Sequence, residues 1–157
     1  MGEEPGWRGF ALPRLEQRSG PLVGTILLGV LWGLWHLPLF LLVPGYNGAG
    51  TGFVGILIPF VAFVILVIAY TVVFTWVFNN TRGSILLAIL LHASINTAVG
   101  MVPSLFPSLG GALLSALSKL LAWVVLAVLL IAATRGRLSY QRFLRETALP
   151  APLTDRE

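Results

Sequence analysis

Cysteine is absent from this 157-residue chain, and charge is scarce. Without a thiol there is no disulfide, no thiolate metal ligand and no cysteine nucleophile, and the redox compartment is left open. Charged residues make up 10% of the chain, less than half the share of an average soluble domain. No acidic residue stands between Glu16 and Glu146, and there is a single lysine, Lys119. Histidine occurs twice, as His36 and His92.

What fills the sequence instead is apolar: 57% of residues are hydrophobic. A soluble fold this short has no interior large enough for that much apolar surface. Several runs exceed the roughly 18 residues that mark a membrane-spanning helix. The expected fold is all-α, a multi-pass transmembrane bundle of about four spans, forming one membrane domain over residues 1–157. The spans fall near residues 22–43, 53–78, 84–102 and 112–133. Turn-forming residues separate them: Pro44-Gly45-Tyr46-Asn47-Gly48, Asn79-Asn80-Thr81-Arg82-Gly83, and Pro103, Pro107, Gly110 and Gly111.

Arginine sorts the two sides. Arg8, Arg14 and Arg18 precede the first span, Arg82 lies between the second and third, and Arg135, Arg137, Arg142 and Arg145 follow the fourth. Loops 44–52 and 103–110 carry no basic residue. The positive-inside rule then places both termini and Arg82 in the cytoplasm, for a protein of the plasma membrane. Residues 1–20 become a cytoplasmic-side segment and residues 134–157 a basic tail, which suits either an interfacial helix on anionic lipid or a simple anchor. Lys119, about two turns into the fourth span, can snorkel to the outer interface or point into the bundle.

Polar groups inside such spans are costly and face a protein interior or a wet cavity. In the first span, Gly29, Trp32, Gly33 and His36 share one helical face. The Gly29-x-x-x-Gly33 pair allows close helix approach. Pro38 removes a backbone donor and presses on the carbonyl of Leu34, so a kink beside His36 is expected. In the third span His92 and Asn96, four apart, lie on one face with Ala88. At 1.5 Å per residue His36 lies ~21 Å from the start of its span and His92 ~12 Å from its own. For the two to meet, the first helix must start further out, tilt, or kink at Pro38. Glu3 and Glu4 are the available carboxylates, with Arg8 at the i,i+4 spacing of a helical ion pair.

Several hydrolytic chemistries drop out. There is no HExxH zinc helix, no intramembrane aspartate, since Asp155 lies in the tail, and no base evident for Ser94. Two histidines, an asparagine and a carboxylate pair on three segments can activate water by general base catalysis. They can also bind zinc through two histidines and one glutamate.

Glu3-Glu4-x-x-x-Arg8, then Trp32-x-x-x-His36, then His92-x-x-x-Asn96 resembles the CAAX protease and bacteriocin-processing family of intramembrane proteases over roughly residues 3 to 100. The resemblance implies an endopeptidase in which Glu3 and His36 activate a water, His92 and Asn96 hold the oxyanion, and Glu4 and Arg8 support the site. It implies a membrane-associated peptide or protein as substrate, and no nucleic-acid partner. If a metal is used, a divalent ion such as zinc would be held by Glu3, His36 and His92. Family members carry further helices ahead of the double glutamate, so a shortened homologue is expected, and a non-catalytic immunity or scaffold protein is the alternative. Trp32 stands where the family commonly has phenylalanine.

Overall fold

A computed structural model describes residues 2–105 and 112–148. The described residues are helical, with no strand among them. A π-helical stretch, Pro5–Ala11, runs directly into α1 (Leu12–Ser19). Then come α2 (Pro21–Trp35), α3 (Leu37–Leu42), α4 (Gly52–Asn80), α5 (Ile85–Leu105), α6 (Ala112–Thr134) and α7 (Tyr140–Thr147). The four expected spans are these apolar helices. Three stretches, Pro21–Leu42, Gly52–Asn80 and Leu114–Thr134, are long and apolar enough to cross a membrane, and a shorter apolar helix covers Ile85–Val99. Helix α5 runs on to Leu105, past its expected end, while residues 106–111 of the following loop and Asp155 of the tail lie outside the described residues.

The first segment is the main departure from expectation. Rather than a solvated flank, residues 4–19 form a helix folded back antiparallel along α2. The turn is Gly20, whose φ of 79° lies in the left-handed region that glycine adopts without steric cost. Residues equally far from Gly20 on the two arms meet. Four residues away, a Cβ on Gly24 would sit 2.7 Å from the Leu15 backbone and 2.8 Å from that of Glu16. Eight away, Leu12 and Leu28 are both fully buried in one cluster. Twelve away, the Arg8 guanidinium lies 4.3 Å from the centre of the Trp32 ring. The buried face of the first arm is the i,i+4 stripe Glu4, Arg8, Leu12 and Glu16.

Helix α2 packs on α4 through its two glycines. A Cβ on Gly29 would lie 2.8 Å from the Cα of Ile68, and one on Gly33 3.3 Å from the Cα of Val64. The expected role of the Gly29–Gly33 pair is thus met: small residues bring two backbones together. Helix α4 is the centre of the bundle, burying Val67, Tyr70 and Phe74 against Trp32 and Ala88. It meets α6 through an edge-to-face pair of Tyr70 and Trp123, ring centres 4.6 Å apart. At the arginine-rich end α7 folds back, setting Phe143 against Phe78 with tilted rings and Arg142 against Asn80.

Candidate functional site

The first apolar span breaks at His36, as Pro38 dictates. The His36 amide donates to Gly33 at 3.1 Å, the tighter i−3 pattern, so it no longer serves the Trp32 carbonyl. The imidazole takes over, its Nδ1 lying 2.9 Å from that same oxygen. A carbonyl can only accept, so Nδ1 carries the proton and donates. The kink that frees a backbone acceptor therefore also fixes the tautomer of the histidine beside it.

Trp32 organises the rest. Its indole N–H donates to Glu3 Oε2 at 2.9 Å, the partner a buried tryptophan needs. Its ring lies edge-to-face with both histidines, 6.2 Å from His36 and 5.4 Å from His92. The unequal depths counted from the span starts are bridged by this one side chain. The sequence places Trp32 on the face of His36 without naming its partners; the signal for them is an N–H donor one turn before a histidine in an otherwise apolar run.

Glu4 is fully buried. Its Oε1 accepts from His92 Nδ1 at 2.7 Å and from Arg8 Nη1 at 3.1 Å. Arg8, also fully buried, is sandwiched between Trp32 and Phe74, its carbon 4.3 Å from each ring centre. The π faces supply part of what water would give the cation. Glu4 Oε2 and Arg8 Nε and Nη2 are buried without a partner among the described residues. Removing one member of such a pair leaves an uncompensated charge, typically a loss of about 3–5 kcal/mol.

A cavity of about 270 Å³ opens beside these groups, lined by Trp32, His36, Phe74, His92, Asn96 and Lys119 among others. Asn96, one turn beyond His92, is exposed on its wall. The structure thus gathers Arg8, Glu4 and His92 into one hydrogen-bonded chain and puts Glu3 on Trp32. It puts His36, His92 and Asn96 on one cavity. No three His, Asp or Glu side chains are grouped to hold an ion among the described residues. Glu3 is committed to the Trp32 N–H, and His92 faces Glu4, not Glu3.

A second buried polar pair escaped the sequence reading. Asn79 Nδ2 donates to Glu16 Oε1 at 2.8 Å and to the Leu138 carbonyl at 3.0 Å, tying the first helix, the end of α4 and the turn before α7. Burial pushes the Glu16 carboxyl up to about 7, against the opposing pull of the Asn79 hydrogen bond. The partners are 63 residues apart, so no local spacing announces them.

The motif-bearing half of the chain has relatives. The family model described as type II CAAX prenyl endopeptidase Rce1-like matches residues 1–98. CAAX prenyl protease 2 of Methanococcus maripaludis is 34% identical over 89 residues, covering 55% of this chain and 31% of that protein. The chain spans about a third of the length of this curated relative. No solved structure matches it. The matched region holds Glu3, Glu4, Arg8, His36, His92 and Asn96, the residues that the hairpin at Gly20 and the kink at His36 gather, and on that ground the chain belongs to the type II CAAX prenyl endopeptidase Rce1-like family.

Proposed function

We propose that this integral membrane protein is an intramembrane endopeptidase, hydrolysing a peptide bond of a membrane-associated peptide or protein by a glutamate- and histidine-activated water. The observation that carries the reading is the buried hydrogen-bonded chain Arg8–Glu4–His92, whose histidine faces His36 across Trp32 on one cavity wall. A buried carboxylate holding a histidine at Nδ1 orients its other nitrogen, a recurrent device of hydrolytic sites.

Water would lie between Glu3 and the free Nε2 of His36. One of these takes its proton as the oxygen adds to the scissile carbonyl. With its Nδ1 held on Glu4, His92 turns its Nε2 side toward the oxyanion, and the Asn96 amide donates to it. The proton then passes to the leaving nitrogen, the C–N bond breaks, and a carboxylic acid and an amine result. The bilayer is the protein's medium, and the concentration of arginine at the bundle end bearing α1 and α7 supports a plasma-membrane orientation with that end cytoplasmic.

The test is cleavage of a lipidated peptide by the chain in proteoliposomes. His36→Ala, His92→Ala and Glu3→Ala should each lower kcat by about 10²–10⁴-fold, and Asn96→Ala by about 10²–10³-fold. Undiminished cleavage in the two histidine variants would overturn the assignment, whereas loss in all of them with intact folding supports it.

A further inference from the structure

Helix α7 belongs to the basic tail, yet it is folded into the bundle. Phe143 lies against Phe78 at the end of α4, ring centres 5.7 Å apart. Gly83 makes room for it: a Cβ there would lie 3.2 Å from the Phe143 ring and 3.2 Å from that of Phe78. This contact closes α7 over the turn between α4 and α5 and brings Arg142 beside Arg82. With Asn80, Thr81 and Glu146 the two arginines line a cavity of about 500 Å³. No described residue lines both this cavity and the one that holds His36 and His92.

The cavity is arranged around an anion. Glu146 lies between the two guanidiniums, its Oε1 2.7 Å from Arg142 Nε and its Oε2 3.9 Å from Arg82 Nε. Both arginine side chains are more than half exposed, so water screens these pairs and a better anion can displace the carboxylate. Two arginines against one glutamate leave one net positive charge, the complement of a phosphodiester. Guanidinium forks match phosphate oxygens in pairs. Position decides which phosphate. The turn joins the end of the apolar stretch Gly52–Asn80 to the start of the apolar helix Ile85–Val99, the level at which headgroups lie. Just beyond the turn α5 exposes Leu86 and Leu90, one helical turn apart, and α7 exposes Leu144. An acyl chain leaving the charged end has an apolar surface to follow. We propose that the cavity between α7 and the α4–α5 turn binds the phosphodiester headgroup of an anionic phospholipid, held by Arg82 and Arg142 in place of Glu146.

This site does not depend on the peptidase reading, and its test needs no turnover. The protein in a neutral detergent is titrated with dioleoylphosphatidylglycerol, with dioleoylphosphatidylcholine and with soluble glycerol phosphate. Binding is read by native mass spectrometry and by the rise in melting temperature. Wild type should bind phosphatidylglycerol about tenfold more tightly than phosphatidylcholine, the size of one charge-assisted hydrogen bond. Arg82→Gln and Arg142→Gln should each lower that affinity about tenfold. Arg145→Gln, on the same helix but outside the cavity, should leave it within about twofold, because a neutral micelle has no surface potential for a lone arginine to feel. Glu146→Gln should tighten binding by up to about fivefold, since it removes the competing carboxylate. Equal losses at Arg82, Arg142 and Arg145 overturn the site in favour of a diffusely basic end. Equal affinities for the two lipids overturn it as well. So does glycerol phosphate that binds as tightly as phosphatidylglycerol, which would make the ligand a soluble phosphate. Weaker binding in Glu146→Gln also overturns it, because the carboxylate would then support the receptor rather than compete with the lipid.

Discussion

The two halves of the bundle are packed to different standards. Around α2 and α4, backbones touch through Gly24, Gly29 and Gly33, and a fully buried ion pair is held between two aromatic rings. About a third of the central stretch of Pro21–Leu42 is buried, and 39% of that of Gly52–Asn80. Along α6 the figure falls to 6%, and both larger membrane-depth cavities lie against that helix. The buried motif residues Glu4, Arg8 and Trp32 sit in the first half, where close packing restricts side-chain movement. The second half supplies one cation and open space. The difference teaches a division of packing: one wall holds its polar groups in fixed contacts and the other leaves open space.

The comparison breaks most readily at Gly24. A side chain there must displace the Leu15–Glu16 backbone, and that arm carries Glu4 and Arg8 as one rigid helix. Gly24→Val should therefore cost at least about 3 kcal/mol, the upper end for overpacking, and should remove activity even in molecules that stay folded. Thermal unfolding in detergent together with cleavage by the folded fraction checks both. Normal activity with lowered stability would mean that the first arm only braces the bundle.

How much of this was readable beforehand depends on distance along the chain. Apolar run length marked the apolar helices, three of them long enough to cross a membrane, because lipid leaves a spanning segment no other way to satisfy its backbone. The break at His36 was legible because Pro38 cannot donate, and Glu4–Arg8 and His92–Asn96 were legible because each pair sits one helical turn apart. The symmetric hairpin about Gly20 was not. Its evidence is the stripe Glu4, Arg8, Leu12 and Glu16, which reads as a charged flank until α2 is laid beside it. Trp32 was underrated for the same reason: its partners, Glu3, Arg8 and His92, come from two other segments. Pairing between segments depends on how helices fold over one another, and local periodicity carries no record of it.

The Glu16–Asn79 pair sharpens the contrast with a pH-dependent effect. A carboxyl raised from 4.5 to about 7 in the folded protein binds its proton more tightly there than in the unfolded chain. Its contribution is fully present below about pH 4.5 and is lost as pH rises through 7. At 1.36 kcal/mol per unit the whole difference is about 3 kcal/mol, an order-of-magnitude figure. Melting temperature should fall between pH 4.5 and pH 8. Glu16→Gln should flatten that decline: the amide keeps an acceptor for Asn79 Nδ2 and stays neutral, and its N–H group can serve the unpartnered Asn79 Oδ1. A slope as steep in Glu16→Gln as in wild type would assign the pH dependence elsewhere.

The smallest effect is expected on the other half. Leu129 of α6 is 60% exposed, so its side chain faces lipid rather than protein. Lipid tails are as apolar as leucine, so truncation there removes little that the folded state gains over the unfolded one in the membrane. Leu129→Ala should change stability by no more than about 0.5 kcal/mol and leave cleavage unaltered. Ala127, two residues earlier, is buried against α4 with Val72 and Leu138. Ala127→Leu on the same helix should be felt, because there α6 does meet protein, at about 1–3 kcal/mol for overpacking. If both substitutions proved equally mild, α6 would be loosely held along its whole length, and the open wall would be a mobile one. If both proved costly, the lipid-facing side of α6 would be part of the packed structure, and the division between a fixed wall and an open one would have to be given up.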